Sequence, residues 1–394
     1  MVSNTDNIYS SLWAKPYEVI RYANNILAQI DALEVVPADA ARKDDVKGQA
    51  LALRALALFD VTRVFGSTYQ KDGGTSLGAC IVTEAVGPGH QPSRSTVAEC
   101  YAQVIKDLTD AIPLLRVTRN NGKINRWGAM TLLSRVYLYK GDNDNALIQS
   151  EAAITGATAN SYRLWTNAEY GSATAAWKGE FTQEVLFEVV NNVSDRAGND
   201  GVAYLMLRSG YNDIVLTSDF LTLLEEDMND VRHLITKLET SSSAYNRTRK
   251  VYLLKYTGPE TDVRNANVPV LRLSEAYLNA AESAVKTSDN DKAIAYLDAI
   301  VNRANPANSV TGTVTLEQVI KERRKELVGE GHRQFDALRN NETINRIGGW
   351  HIPNLIPEVK SYNRDYFHAI LPIPRYEINA NPSLKGQQNP GYSQ

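Results

Sequence analysis

Apolar residues recur at helical spacing through most of the first 155 positions of the chain. In "WAKPYEVIRYANNILAQIDAL", Trp13, Tyr17, Ile20, Leu27 and Ile30 share one stripe, and Pro16 sits near the start, where its missing N–H costs least. Asn24 falls on the same stripe and is read as a hydrogen-bonded core side chain rather than a ligand contact. The stretch "GQALALRALALFDVTRVFG" is apolar nearly all round, which predicts a helix buried on several sides and closed by Gly66. A further helix opens at the Thr96…Glu99 capping box and carries Tyr101, Val104, Ile105, Leu108, Ile112 and Leu115.

One pattern then occurs twice. "GDNDNAL" from Gly141 and "SDNDKAI" from Ser288 each join two helical segments. Leu133, Tyr137, Ala146 and Ala153 line the first crossing; Ala280, Ala284, Ala293 and Leu297 line the second. Small residues at a crossing beside a tight turn describe tetratricopeptide-like helical hairpins. The Asp/Asn turn is not an EF-hand loop, because the twelfth position from Asp142 is Ala153 where a bidentate Glu is needed.

Between the repeats the periodicity breaks. Residues 157–270 hold short β-like runs, "EVLFEVV" and "KVYLLKY", among Gly, Ser, Asn and Asp, with scattered Trp and Tyr. The segment 67–92 is a long Gly/Pro-rich connection, a candidate for function by its length. The last 50 or so residues are irregular, with "HAILPIP" read as a strand. The predicted fold is mostly α: a single domain over 1–394, with a helical-hairpin scaffold mainly in 12–155 and 271–340. A loop-rich insertion and an irregular C-terminal tail, mainly 157–270 and 341–394, form the expected binding part.

Composition excludes several functions. The formal charge of −3 offers nothing to nucleic acid, and two cysteines, Cys80 and Cys100, cannot make a disulfide framework or an ordinary thiolate zinc site. No apolar run is long enough to cross a bilayer. The five histidines form no HExxH pair, and no Walker loop, dinucleotide fingerprint or GxSxG elbow is present. No cofactor, metal or catalytic residue is expected, although a carboxylate pair brought together by the fold would escape sequence spacing.

The densest charge lies in "TLEQVIKERRKELVGEGHRQFDALRN", residues 315–340. A catalytic site around Glu330, His332 and Arg333 is one reading. The other is structural: a Thr315…Gln318 capping box, a buried face of Leu316, Ile320 and Leu327, and helix ion pairs Glu317–Lys321, Glu322–Lys325 and Arg323–Glu326. Charge runs on helices usually pair or solvate, and the structural reading is preferred.

The same stretch resembles the signature helix of the RagB/SusD-like family of outer-membrane nutrient-binding lipoproteins of Bacteroidetes. "GQALALRALALFDVTRVFG", "INRWGAMTLLSRVYLYKGD", "VPVLRLSEAYLNAAESA" and "HAILPIPRYEINANPSLKGQQNPGY" resemble further family segments, in order along the chain. The resemblance implies non-catalytic capture of oligosaccharides, or of peptides, and delivery to a TonB-dependent SusC-like transporter. It also implies a surface-exposed lipoprotein of the cell outer membrane. The first twenty residues show neither a basic head nor an apolar core, and Cys80 and Cys100 lie too far inside to be the acylated cysteine. A shortened start is therefore expected. The alternative reading is an intracellular tetratricopeptide-type scaffold that binds a peptide in its groove.

A sugar site needs exposed aromatic faces for C–H stacking and polar side chains for the hydroxyls. Trp177, Tyr204 and Tyr211 are the leading platforms, with Asn199, Asp200, Asn212 and Asp213 as polar neighbours. Tyr69 follows, then Trp350 with His351. Trp13, Trp127 and Trp165 read as packing residues from their helical settings.

Overall fold

A computed structural model describes residues 9–119, 121–171, 176–211, 213–238, 251–346 and 360–393. Four helices open the chain: α1 (Ser10–Ile30), α2 (Ala40–Phe65), the short α3 (Tyr69–Asp72) and α4 (Val97–Ala111). The first hairpin is α5 (Arg126–Lys140) with α6 (Asn143–Ala159). After α7 (Asn167–Gly171) come β1 (Val185–Val189), α8 (Val202–Met206), α9 (Ser218–Leu224), β2 (Thr236–Leu238) and β3 (Val251–Leu253). Strand β4 (Val268–Arg272) runs directly into α10 (Leu273–Lys286), which pairs with α11 (Asn290–Ala304). The chain closes with α12 (Leu316–Glu326), α13 (Arg333–Arg339), β5 (Ile344–Asn345), β6 (Ser361–Tyr362) and α14 (Arg375–Ala380).

Helices α1, α2, α4, α5, α6 and α10 pack in succession, and α11 and α12 close on α10. Among the described residues the strands form three antiparallel pairs, β1–β4, β2–β3 and β5–β6.

Both repeated turns are helix caps. The Asp142 carboxylate accepts from Asn145 N, and the Asp289 carboxylate accepts from Lys292 N, each starting the second helix of its hairpin. Gly141 takes the left-handed conformation (φ 87°) that ends α5. The capping boxes at Thr96 and Thr315 are both formed. Asn24 is fully used in the core: its Nδ2 donates to Val82 O and Glu84 O, and its Oδ1 accepts from Arg54, which also holds Asp107.

The hairpin crossing is tight enough to predict a consequence. A Cβ on Gly156 of α6 would lie 2.0 Å from the Trp127 ring of α5. Gly156→Ala should therefore destabilise by about 1–3 kcal/mol, the usual cost of overpacking a rigid contact. A urea midpoint unchanged from wild type would show that the crossing yields freely.

The expected strand "HAILPIP" is absent. Phe367–Ala369 is a 3-10 turn, and the residues after it run extended without a strand partner. Pro372 and Pro374 supply no backbone N–H for a ladder. Leu371 N instead donates to Val64 O, 3.0 Å away, so the tail lies against the end of α2. Arg94 fixes it there. Its five N–H groups meet five acceptors: Gly78 O, Phe65 O, Leu77 O, Gln387 O and Asn389 Oδ1.

Candidate functional site

The β1–β4 pair places Glu184 and Arg272 side by side where the irregular part meets the helical scaffold. Arg272 Nη2 lies 2.8 Å from Glu330 and its Nη1 3.1 Å from Glu326. Glu326 also takes Arg303 at 2.6 Å, while Lys255 reaches Glu330 at 2.6 Å. Arg232 joins Asp230 and Glu322 at the side. Burial pushes the Glu326 carboxyl up, but the charges of Arg303, Arg272, Arg232 and Lys255 outweigh it and hold the group well below the ordinary carboxylate range. Burial pulls the Lys255 ammonium down to about 8 against the attraction of Glu330.

The signature stretch thus contributes to a buried ion cluster. Its helix pairs differ in detail from the expected ones. Glu322–Lys325 is present at 3.4 Å, whereas Lys321 reaches Glu226, and Arg323 turns inward to Asp336. Helix spacing shows which charges are neighbours in one helix; it cannot show a stronger partner arriving from another element.

Trp177 belongs to this cluster and not to the surface. It is 5% exposed, edge-on to Trp165, Tyr170 and Tyr256, with Lys255 Nζ 4.6 Å and the Arg272 guanidinium 5.0 Å from its ring. Three of these rings, Trp165, Tyr170 and Trp177, cover the cations Lys255, Arg272 and Arg303 with their π faces. The expectation of Trp177 as an open stacking platform is corrected accordingly. Trp13, Trp127 and Trp165 are buried, as their settings suggested. Tyr69 is half-buried on α3, its ring 5.2 Å from that of Tyr101, so it packs toward the scaffold. Asn212, Trp350 and His351 lie outside the described residues.

Tyr204 and Tyr211 do come together. Tyr204 is on α8, and the chain folds back at once: Gly210 N donates to Leu207 O and Tyr211 N to Tyr204 O. Gly210 is required there, since a Cβ would fall 2.0 Å from Tyr204 O. The return sets the two rings edge-on at 5.0 Å and 82°. Tyr211 is 52% exposed and Tyr204 half-buried.

Polar side chains surround the pair. Asn199 Nδ2 donates to Tyr211 Oη at 3.3 Å, and Arg264 Nη1 donates to Asn199 Oδ1 at 3.3 Å. The Arg264 guanidinium lies 5.7 Å from the Tyr204 ring centre and is held by Asp262, which also accepts from Arg196. Hydrogen bonds from Arg264, more than any other contact, hold the Asp262 carboxyl well below its ordinary range. Asp200 and Asp213 are exposed nearby in sequence.

Arg264, Asp262 and Arg196 were missed by the sequence reading. The available signal was "TDVRNAN", in which Asp262 caps a short turn through Arg264 N; it marks a turn but not what the turn faces. The assembled surface has an exposed aromatic ring, a cation and both donors and acceptors. It can stack an apolar ring face and hydrogen-bond a polar rim.

Comparison with known proteins follows this architecture. The sequence profile described as "SusD family" matches residues 217–392, and that described as "Starch-binding associating with outer membrane" matches 1–138. The crystal structure of a candidate sugar-binding protein of Bacteroides vulgatus is 45% identical, covers 99% of this chain and 87% of its own, and superposes with a TM-score of 0.91. A SusD superfamily protein of the same species is 38% identical over 98% of this chain and 86% of its own, with a TM-score of 0.89. A laminarin-binding SusD-like protein shares the fold at 23% identity, with 99% and 87% covered and a TM-score of 0.73. Five sequence segments in order, a helical-hairpin scaffold and these matches agree: the chain belongs to the SusD family of carbohydrate-binding proteins.

Proposed function

We propose that this chain captures oligosaccharides, without catalysis, at the Tyr204–Tyr211 surface and passes them to a TonB-dependent transporter of the SusC-like kind. On this reading the protein works as a surface lipoprotein of the outer membrane. The observation that carries it is the exposed Tyr211 ring set against Tyr204 and fringed by Asn199 and Arg264. Outer-membrane association follows the description of the profile matching residues 1–138. Among the described residues no helix is long and apolar enough to cross a membrane. The carboxylates of the buried cluster are each paired to cations, an arrangement suited to cohesion rather than to proton transfer to a leaving group.

Each exposed aromatic contact contributes on the order of 1 kcal/mol, so the predicted affinity is weak. A transporter that closes over the complex compensates by raising the local concentration.

Calorimetric titration with laminarin and starch oligosaccharides, and with short peptides as the competing ligand class, tests this. Binding to one glycan class should weaken about tenfold in Tyr211→Ala and change little in Tyr211→Phe, because stacking uses the ring. Glycan binding that ignores Tyr211→Ala would move the site elsewhere; binding of peptides alone would replace the ligand class.

A further inference from the structure

The rim of the Tyr211 ring has a hydrogen-bond polarity that follows from which groups can only donate. An arginine has no acceptor, so Arg264 Nη1, 3.3 Å from Asn199, fixes the carboxamide with its oxygen toward the guanidinium. Asn199 Nδ2 then faces Tyr211 Oη, also at 3.3 Å, and donates to it. Since Nδ2 carries two hydrogens, one N–H of the amide remains. Arg264 is itself clamped from the other side. Its Nε and Nη2 each donate to Asp262 at 2.8 Å, and Asp262 also accepts from Arg264 N and from Arg196 Nη1. Three of the five guanidinium N–H groups are used at Asp262 and Asn199, and one on each Nη is left without a partner among the described residues.

These groups are open to water. The Arg264 side chain is 36% exposed, and Asn199 and Tyr211 are exposed beside it. The guanidinium lies 5.7 Å from the Tyr204 ring centre, and that ring 5.0 Å from the Tyr211 ring, so one sugar unit can reach both the stacking face and the cation. What Arg264 and Asn199 offer such a sugar is donors. A hydroxyl can meet them, but its own proton then needs an acceptor; a carboxylate brings acceptors alone. The charge agrees, since Arg196 and Arg264 share the single carboxylate of Asp262 and leave one positive charge in the triad. Asp200 and Asp213, exposed and close in sequence to Asn199 and Tyr211, would repel a ring carrying several sulfates more than one carboxylate held by direct bonds.

Resting on the capture surface proposed above, we infer that its ligand class is a uronate-containing glycan, with the sugar ring on Tyr211 and the carboxylate on the remaining N–H groups of Arg264 and Asn199. Arg264 then decides specificity, because a planar guanidinium already oriented by Asp262 meets a carboxylate with little further ordering.

Titration calorimetry on the full chain tests this with oligomers of galacturonate, mannuronate and glucuronate, each beside the same oligomer with its carboxyls reduced to alcohols. At least one acid should bind about tenfold more tightly than its reduced form, the usual worth of a charge-assisted hydrogen bond. Arg264→Gln should erase that preference, whereas Tyr211→Ala should weaken the acid and its reduced form alike. Acids that bind no better than their reduced forms, or a preference that survives Arg264→Gln, would overturn the inference. Neutral oligomers that bind through Tyr211 would in that case leave the capture surface standing. Silence from every oligomer in the set would also overturn the inference, and the laminarin and starch titrations then judge the capture surface by themselves.

Discussion

Arg272→Ala is expected to lower the unfolding free energy by about 3–5 kcal/mol, the range for removing one partner of a buried ion pair. The loss is not mainly that of attraction. Arg272 is 1% exposed and faces Glu184, Glu326 and Glu330, two of them fully buried. Without it those carboxylates stay desolvated with fewer cations than charges, and Trp165 and Trp177 lose the guanidinium over their rings. Against a typical total of about 5–15 kcal/mol, the change is a large fraction of the whole. Urea unfolding followed by tryptophan emission reads it directly, since Trp165 and Trp177 report from inside the cluster. A shift below about 1 kcal/mol would mean that water enters and solvates the glutamates.

Arg94→Lys, formally conservative, should cost about 3 kcal/mol. The planar guanidinium fills five acceptors without a carboxylate among them. A lysine has three donors at one point, so at least two acceptors lose their bond, at about 1 kcal/mol each with added cost where they are buried. Burial draws the Arg94 group down to about 10, so it remains charged at neutral pH, and a lysine there would be easier to neutralise. The readouts are the urea midpoint and the rate at which a protease cuts after residue 385. A tail as resistant as in wild type would show that Asn389, through Phe65 O and Leu371 O, holds it alone.

Much of the scaffold was legible because local chemistry fixes it. Thr96 with Glu99, Thr315 with Gln318, and the two Asp turns are complete within a few residues, and each forms as read. The α5–α6 and α10–α11 crossings follow from small residues at 3.6-residue spacing. The surface was legible only in part. Tyr204, Tyr211 and Asn199 lie within one short span and meet through a local turn, so sequence proximity was a fair guide. Arg264 arrives from another element with no spacing to announce it. Trp177 was misplaced for the reverse reason. A tryptophan in a loop-rich stretch looks available, and the cations that bury it, Lys255 and Arg272, are far along the chain.

The Arg94 junction also constrains the order in which the molecule can be completed. Asn389 Nδ2 donates to Phe65 O across 324 positions, and Gln387 meets Arg94 across 293. A chain made from its N-terminus therefore exposes α2 and the 67–94 connection long before their closing partners exist. Helices α1, α2 and α4 can pack early, but the carbonyls of Phe65, Leu77 and Gly78 and the Arg94 side chain reach their final arrangement only when Gln387 and Asn389 are available. The nascent protein is thus held one step short of its native state until residues 387–389 emerge, and a truncation ahead of Gln387 would act on a junction built 293 positions earlier.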